Sequence, residues 1–166
     1  MDVSVRHATA ADLAAMLDIY NDVIARTTAV YTEESVSVTD YLSRYEARQA
    51  KGYPTLVATQ ESNIIGFASF DDFRAWPCYR YSVEHSVHVA EGFRRQGVGH
   101  KLLSAIHEAA ALTGKHALIG GIDAQNAASR RLHANHGFTE VGCMREVGRK
   151  FDRWLDLIFV QKLLRS

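Results

Sequence analysis

Apolar residues recur along this chain in two rhythms, every second position in some stretches and every third or fourth in others. Val3 to Arg6 reads as a short first strand. Thr9 to Asp12 can cap a helix on which Leu13, Met16, Leu17 and Tyr20 share a face. Thr39 to Lys51 is a second helical stretch, ended by Gly52-Tyr53-Pro54. Thr55 to Thr59 and Ile64 to Phe70 flank the polar turn Gln60 to Asn63, a hairpin pattern. Asp71 to Arg80 has no period. Tyr81 to Val89 alternates like a strand, and Leu102 to Leu112 is helical. Ala117 to Ile122 is a strand, and Asn126 to His136 a helix with Gly137 as its C-cap. Val141 to Val147 and Trp154 to Lys162 are the last strands. The order predicts a mixed α/β fold. With no repeat, low-complexity tract or linker, one domain over residues 1–166 is expected.

Composition narrows the partners. The chain is 47% hydrophobic, enough for a sizeable core. Lys plus Arg and Asp plus Glu number 19 each, so the formal charge is zero. That balance argues against nucleic acid as the ligand. Cys78 and Cys143 stand in no metal or redox spacing and read as free thiols. The N-terminus has no secretory pattern and no apolar run is long enough to span a bilayer, so a cytoplasmic protein off the membrane is expected. His133 and His136 lie three apart, but no carboxylate or thiol accompanies them, so no metal is expected. His7, His100, His107 and His116 read as surface or capping residues.

The segment Arg94-Arg95-Gln96-Gly97-Val98-Gly99 changes the picture most. It lies between a strand and a helix, where backbone N–H groups and the helix dipole favour an anion. Glycine lets the backbone approach a phosphate closely. A Walker loop needs Gly-Lys-Ser/Thr, whereas Gly99 is followed by His100-Lys101-Leu102. A dinucleotide loop needs a third glycine where Leu102 stands. The pattern that fits is Arg/Gln-x-x-Gly-x-Gly/Ala, which resembles the pyrophosphate loop of the GCN5-related N-acetyltransferases. The chain is similar in particular to the phosphinothricin and methionine sulfoximine acetyltransferases. The shared segments include Ile19-Tyr20-Asn21-Asp22, Gly52-Tyr53-Pro54, Gly66-Phe67-Ala68-Ser69-Phe70, Val83-Glu84-His85-Ser86-Val87, Asn126-Ala127-Ala128-Ser129, Leu132-His133, His136-Gly137-Phe138 and Gly148 to Leu157.

That resemblance implies a single-domain α/β fold with a mixed central sheet flanked by helices on both faces. Acetyl-CoA would lie in the cleft between the two central parallel strands. It implies cofactor contacts at Val87, His88, Val89, Arg94, Arg95, Gln96, Gly97, Val98, Gly99, His100 and Asn126. Asn126 also reads as a helix N-cap. It implies substrate contacts at Arg74, Ala75, Trp76, Glu84, His85 and Ser86, and a homodimer.

Alternation puts Ser82, Glu84, Ser86 and His88 on one strand face and His85 on the other. Amine acetylation needs a proton acceptor, and Glu84 is the expected general base, directly or through a water. His133, where many superfamily members carry tyrosine, either donates a proton or holds local structure. Arg74 is the expected partner of a substrate acid group, since a guanidinium matches such groups bidentately, with Arg80 in reserve. Tyr31, Phe70, Phe73 and Trp76 read as pocket walls or core. The family pattern Gly-Asp-Trp-Arg is Asp71-Asp72-Phe73-Arg74 here, and His88 stands where relatives carry tyrosine. The preferred amino acid is therefore open. The expected activity is α-amino acetylation of a phosphinothricin, methionine sulfoximine or methionine sulfone type amino acid. The alternatives are an enzyme for another amine (a peptide N-terminus, polyamine or aminoglycoside) and a non-catalytic acetyl-CoA-binding module.

Overall fold

The computed structural model describes residues 2–164. The elements are β1 (Val3–His7), α1 (Leu13–Arg26), α2 (Val38–Ala50), β2 (Thr55–Gln60), β3 (Asn63–Asp72), β4 (Ser82–Val89), α3 (Val98–Leu112), β5 (Ala117–Asp123), α4 (Ala127–Asn135), β6 (Thr139–Lys150) and β7 (Arg153–Leu163). Three 3-10 turns lie at Ala10–Asp12, Pro77–Tyr79 and Glu91–Phe93.

The strands form one seven-stranded sheet in the order β1-β2-β3-β4-β5-β7-β6. Among the described residues only β4 and β5 pair in parallel. Helices cover both faces, as expected. On one side α1 and α2 bury Met16, Leu17, Val23 and Tyr41 against Val57 and Phe67. On the other, Leu102, Leu103 and Ile106 of α3 pack on Ala58, Ala68, Val83 and Leu118. Phe70 belongs to this second core and is 1% exposed. Strand alternation sorts the faces: β3 residues Phe67, Ser69 and Asp71 pair across from His88, Ser86 and Glu84, so all six share the α1/α2 side.

Two departures from the sequence pattern bear on function. The helix α3 starts at Val98 rather than Leu102. Gly97, at φ +83°, is its N-cap, so the glycine loop and first helical turn are one unit. The last hairpin is longer than its apolar runs. Register shifts lie between Glu140 and Gly142 and between Met144 and Gly148, and they break the alternation.

The segment between α1 and α2 is fastened over the sheet. Asn21 accepts from Val36 N at 2.8 Å and donates to Val36 O at 3.1 Å. Lys150, 1% exposed, donates through Nζ to the carbonyls of Ile24 at 2.6 Å and Val30 at 2.8 Å. Thr28 Oγ1 donates to Asp123. Tyr31 Oη donates to Asp156 O at 3.1 Å. A buried ammonium needs such acceptors, because an unpaired one costs several kcal/mol.

Candidate active site

The parallel pairing of β4 and β5 stops after Glu84–Ile119. Beyond it the strands part, and the opening is a cleft of about 90 Å3 lined by Ser86, Val87, His88, Asn126, Ser129 and Leu132, among others. Gly120 and Gly121 face the parting on β5. A Cβ on Gly120 would stand 2.9 Å from His85 Cε1, and one on Gly121 3.1 Å from Glu84 Oε1. Two successive glycines in a strand therefore make room for a histidine on one face and a carboxylate on the other.

The cleft shares walls with a larger cavity of about 350 Å3 on the α1/α2 side. Tyr20 and Tyr31, Tyr41, Arg44 and Arg48 of α2, Phe67, Ser69, Glu84, His85, Ser86, His88, Gly121, Asp123 and Leu157 line it, with Ala29 and Val30. Glu84 lines the larger cavity, and Asp123 is the carboxylate that lines both the cavity and the cleft. Burial pushes the Glu84 pKa up and the Arg74 charge opposes that shift. A carboxyl so placed takes up a proton more readily than an exposed one.

The Gly97 loop fits an anion. Arg95 at φ +60° and Gly97 at φ +83° curve the backbone into a concave turn. Val98, Gly99 and His100 are the first residues of α3, whose N–H groups lack acceptors within the helix. The side chains of Arg94 and Gln96 serve the loop itself. Arg94 Nε donates to Val89 O at 3.1 Å, and Gln96 Nε2 to Gly92 O at 2.9 Å. His100 Nδ1 pairs with His136 Nε2 at 3.0 Å. Asn126 is an N-cap, its Oδ1 accepting from Ser129 N at 3.0 Å, and it also borders the cleft.

Of the other expected residues, His85 lines both the larger cavity and the cleft, and its ring meets His133, with the two Nε2 atoms 2.9 Å apart. His133 Nδ1 lies 2.8 Å from Ser129 O, which assigns a proton to that nitrogen and makes Nε2 the acceptor of His85 Nε2–H. Burial pushes both imidazoles down, His85 to about 3, so the pair is neutral at pH 7. Arg74 stacks over Phe73, 5.1 Å from the ring centroid, close enough to act on Glu84 but outside the cavity lining. Ala75 and Trp76 are outside it too, with Trp76 74% exposed. Arg80 stacks over Tyr81. A further depression of about 350 Å3 beyond Asp123 contains only Asn126 of the expected residues. Among the described residues no group of three His, Cys, Asp or Glu is arranged to hold a metal.

Sequence reading missed Arg44, Arg48, Tyr41, Gly121 and the fastening role of Lys150. Tyr41, Arg44 and Arg48 are spaced three and four apart, one helix face. That was the available signal.

The Acetyltransferase (GNAT) family profile matches residues 16–138. The chain is 45% identical to an L-methionine sulfoximine/L-methionine sulfone acetyltransferase of Salmonella typhimurium, over 96% of this chain and 93% of that protein. It is 35% identical to a phosphinothricin N-acetyltransferase of Streptomyces coelicolor, over 98% and 97% of the two chains. A Salmonella typhimurium acetyltransferase solved with its cofactor acetyl-CoA superposes with a TM-score of 0.97 at 44% identity, covering 100% of this chain and 96% of that one.

Proposed function

The chain belongs to the acetyltransferase (GNAT) family and is an acetyl-CoA-dependent N-acyltransferase, and we propose that it acetylates the α-amino group of a small amino acid of the phosphinothricin and methionine sulfoximine kind, with Glu84 as general base. The observation that carries this reading is the place of Glu84, half-buried in the larger cavity beside the walls it shares with the β4–β5 cleft. The names of the two relatives support the substrate class.

Bound acetyl-CoA supplies the activated acetyl group. The Gly97 loop and the first turn of α3 would hold its pyrophosphate, and Val87, His88, Val89 and Asn126 would border its arm. Acetyl transfer needs a neutral amine, and most α-amino groups are protonated at neutral pH. Glu84 takes that proton, and the acceptor and the acetyl group meet in one ternary complex. The neutral His85–His133 pair keeps its proton on Nδ1 of His133, which favours a structural role for His133 over proton donation. The homodimer implied by family resemblance belongs to the same proposal. Exposed Val141, Met144, Val147 and Trp154 on the outer hairpin support it.

The test is release of coenzyme A thiol across an amine panel. Methionine sulfone, methionine sulfoximine or phosphinothricin should be turned over well above polyamines, aminoglycosides and peptide N-termini. Turnover confined to one of the latter would move the protein to another amine class. Tight acetyl-CoA binding with no turnover on the whole panel would make it a binding module.

Arg74 gives a second expectation. The active form of Glu84 is the carboxylate, so kcat/KM falls as pH drops through its raised pKa. Arg74→Gln removes the charge that opposes the rise. The acid limb of the kcat/KM profile should then move to higher pH. A limb that stays put in Arg74→Gln would show that Arg74 does not act on Glu84.

A further inference from the structure

The larger cavity has a cationic wall that proton transfer does not use. Arg48, partly buried, and Arg44, exposed, follow buried Tyr41 at helical spacing on α2, and both line the cavity. Arg48 Nε is buried and has no hydrogen-bond partner. Its nearest carboxylate, Asp71 Oδ2, is 3.7 Å away, beyond hydrogen-bond distance. Asp71 is already held by Lys51 Nζ at 2.6 Å, and Lys51 also lies 3.1 Å from Asp72. Arg44 forms no ion pair among the described residues. Lys51 and Arg48 thus share Asp71 and Asp72, whereas Arg44 stands apart from them. The cavity lining carries two cations, Arg44 and Arg48 on α2, and two carboxylates, Glu84 on β4 and Asp123 on β5.

Position adds to charge. Asp71 and Glu84 are cross-strand partners, and such side chains stand about 5 Å apart. Arg48, 3.7 Å from Asp71 Oδ2, lines the same cavity as Glu84, the cross-strand partner of Asp71. Two methylenes, the spacer of a γ-substituted amino acid, span a distance comparable to the cross-strand one. With the amine at Glu84, the side-chain head meets Arg48 and Arg44.

The geometry points to Arg48, assisted by Arg44, as a subsite for the acceptor's side-chain head that selects an anionic group, a phosphinate or carboxylate, over a neutral one of the same shape. This assignment rests on the amino-acid reading of the function and deepens it. A buried guanidinium N–H without a partner costs free energy, and an anionic oxygen supplies the strongest acceptor for it.

The test compares phosphinothricin, whose head is an anion, with methionine sulfone, whose head is neutral and similar in shape. The readout is the ratio of their kcat/KM values. Arg48→Gln should lower the phosphinothricin-to-sulfone ratio about tenfold or more, the scale of one lost charge-assisted bond. Arg44→Gln should lower it less, and Arg48→Lys should restore part of it. A ratio unchanged in Arg48→Gln, with both substrates hit alike, overturns the subsite and leaves Arg48 a structural residue. If the wild-type protein turns over no amino acid, the amino-acid reading fails by itself. Titration calorimetry with glutarate, which carries two carboxylates and no amine, then still reads the subsite. Binding lost in Arg48→Gln supports it, and no binding to wild type, or binding equal in both proteins, overturns it.

Discussion

Glu84→Gln should lower kcat by about 10²- to 10⁴-fold, the usual contribution of a positioned general base, while acetyl-CoA affinity changes little. Glutamine keeps the shape of the side chain, which matters because Glu84 Oε1 lies against Gly121. The substitution removes the proton acceptor and little else. The larger cavity loses a negative charge, whereas the Gly97 loop, the site expected to carry most of the cofactor binding, is untouched. Two measurements separate chemistry from binding: single-turnover acetylation with saturating substrates, and equilibrium titration of acetyl-CoA. The acid limb of the rate profile should also vanish, since the group that titrates is gone. Equal loss of rate and cofactor affinity would make Glu84 a structural residue. A kcat within a few-fold of wild type would leave the amine to lose its proton to solvent.

The amino-acid pattern made the sheet, the helices and the glycine loop legible because each rests on local physics. Alternation in Ser82 to Val89 sorted Glu84 from His85 before any partner strand was known, and the register with β3 has them on opposite faces. Asn126 is the cap that its position suggested. Reading failed where the determinant is remote. The segment from Thr27 to Ser37 has no period, and its path is set by Asn21, by Asp123 and by Lys150, which lies 126 residues after Ile24. Arg44 and Arg48 were hidden by the usual rule that charged helix positions face water. Arg48 is partly buried and Arg44 exposed, yet both line a cavity, because that helix covers a sheet face with polar residues Ser69, Glu84 and Ser86. Gly120-Gly121 carried a signal, two glycines inside an apolar strand, whose cause is the side chains of Glu84 and His85 on the neighbouring strand.

The same remote fastening leads to the second large effect, at Gly148. A Cβ there would stand 2.5 Å from Tyr31 Cδ2 and 2.9 Å from Cε2, too close for any side chain. Gly148 carries no positive φ, so alanine suits its own backbone and the strain falls on Tyr31. The ring cannot shift without pulling its hydroxyl from Asp156 O, and it forms part of the acceptor cavity wall together with Ala29 and Val30. Gly148→Ala should therefore raise the amino-acid KM about tenfold and leave acetyl-CoA affinity within twofold, since the Gly97 loop lies on other elements. Overpacking of this kind costs about 1–3 kcal/mol, so Tm should fall by several degrees, at roughly 2–4 °C per kcal/mol for a chain of this size. Tyr31→Ala removes the ring that Gly148→Ala strikes. If displacement of Tyr31 is the cause, adding Gly148→Ala to Tyr31→Ala changes neither KM nor Tm further, and a double-mutant cycle reads that coupling directly. Additive losses in the double variant would place the damage in the β6–β7 hairpin itself and remove Tyr31 from the account of the acceptor site.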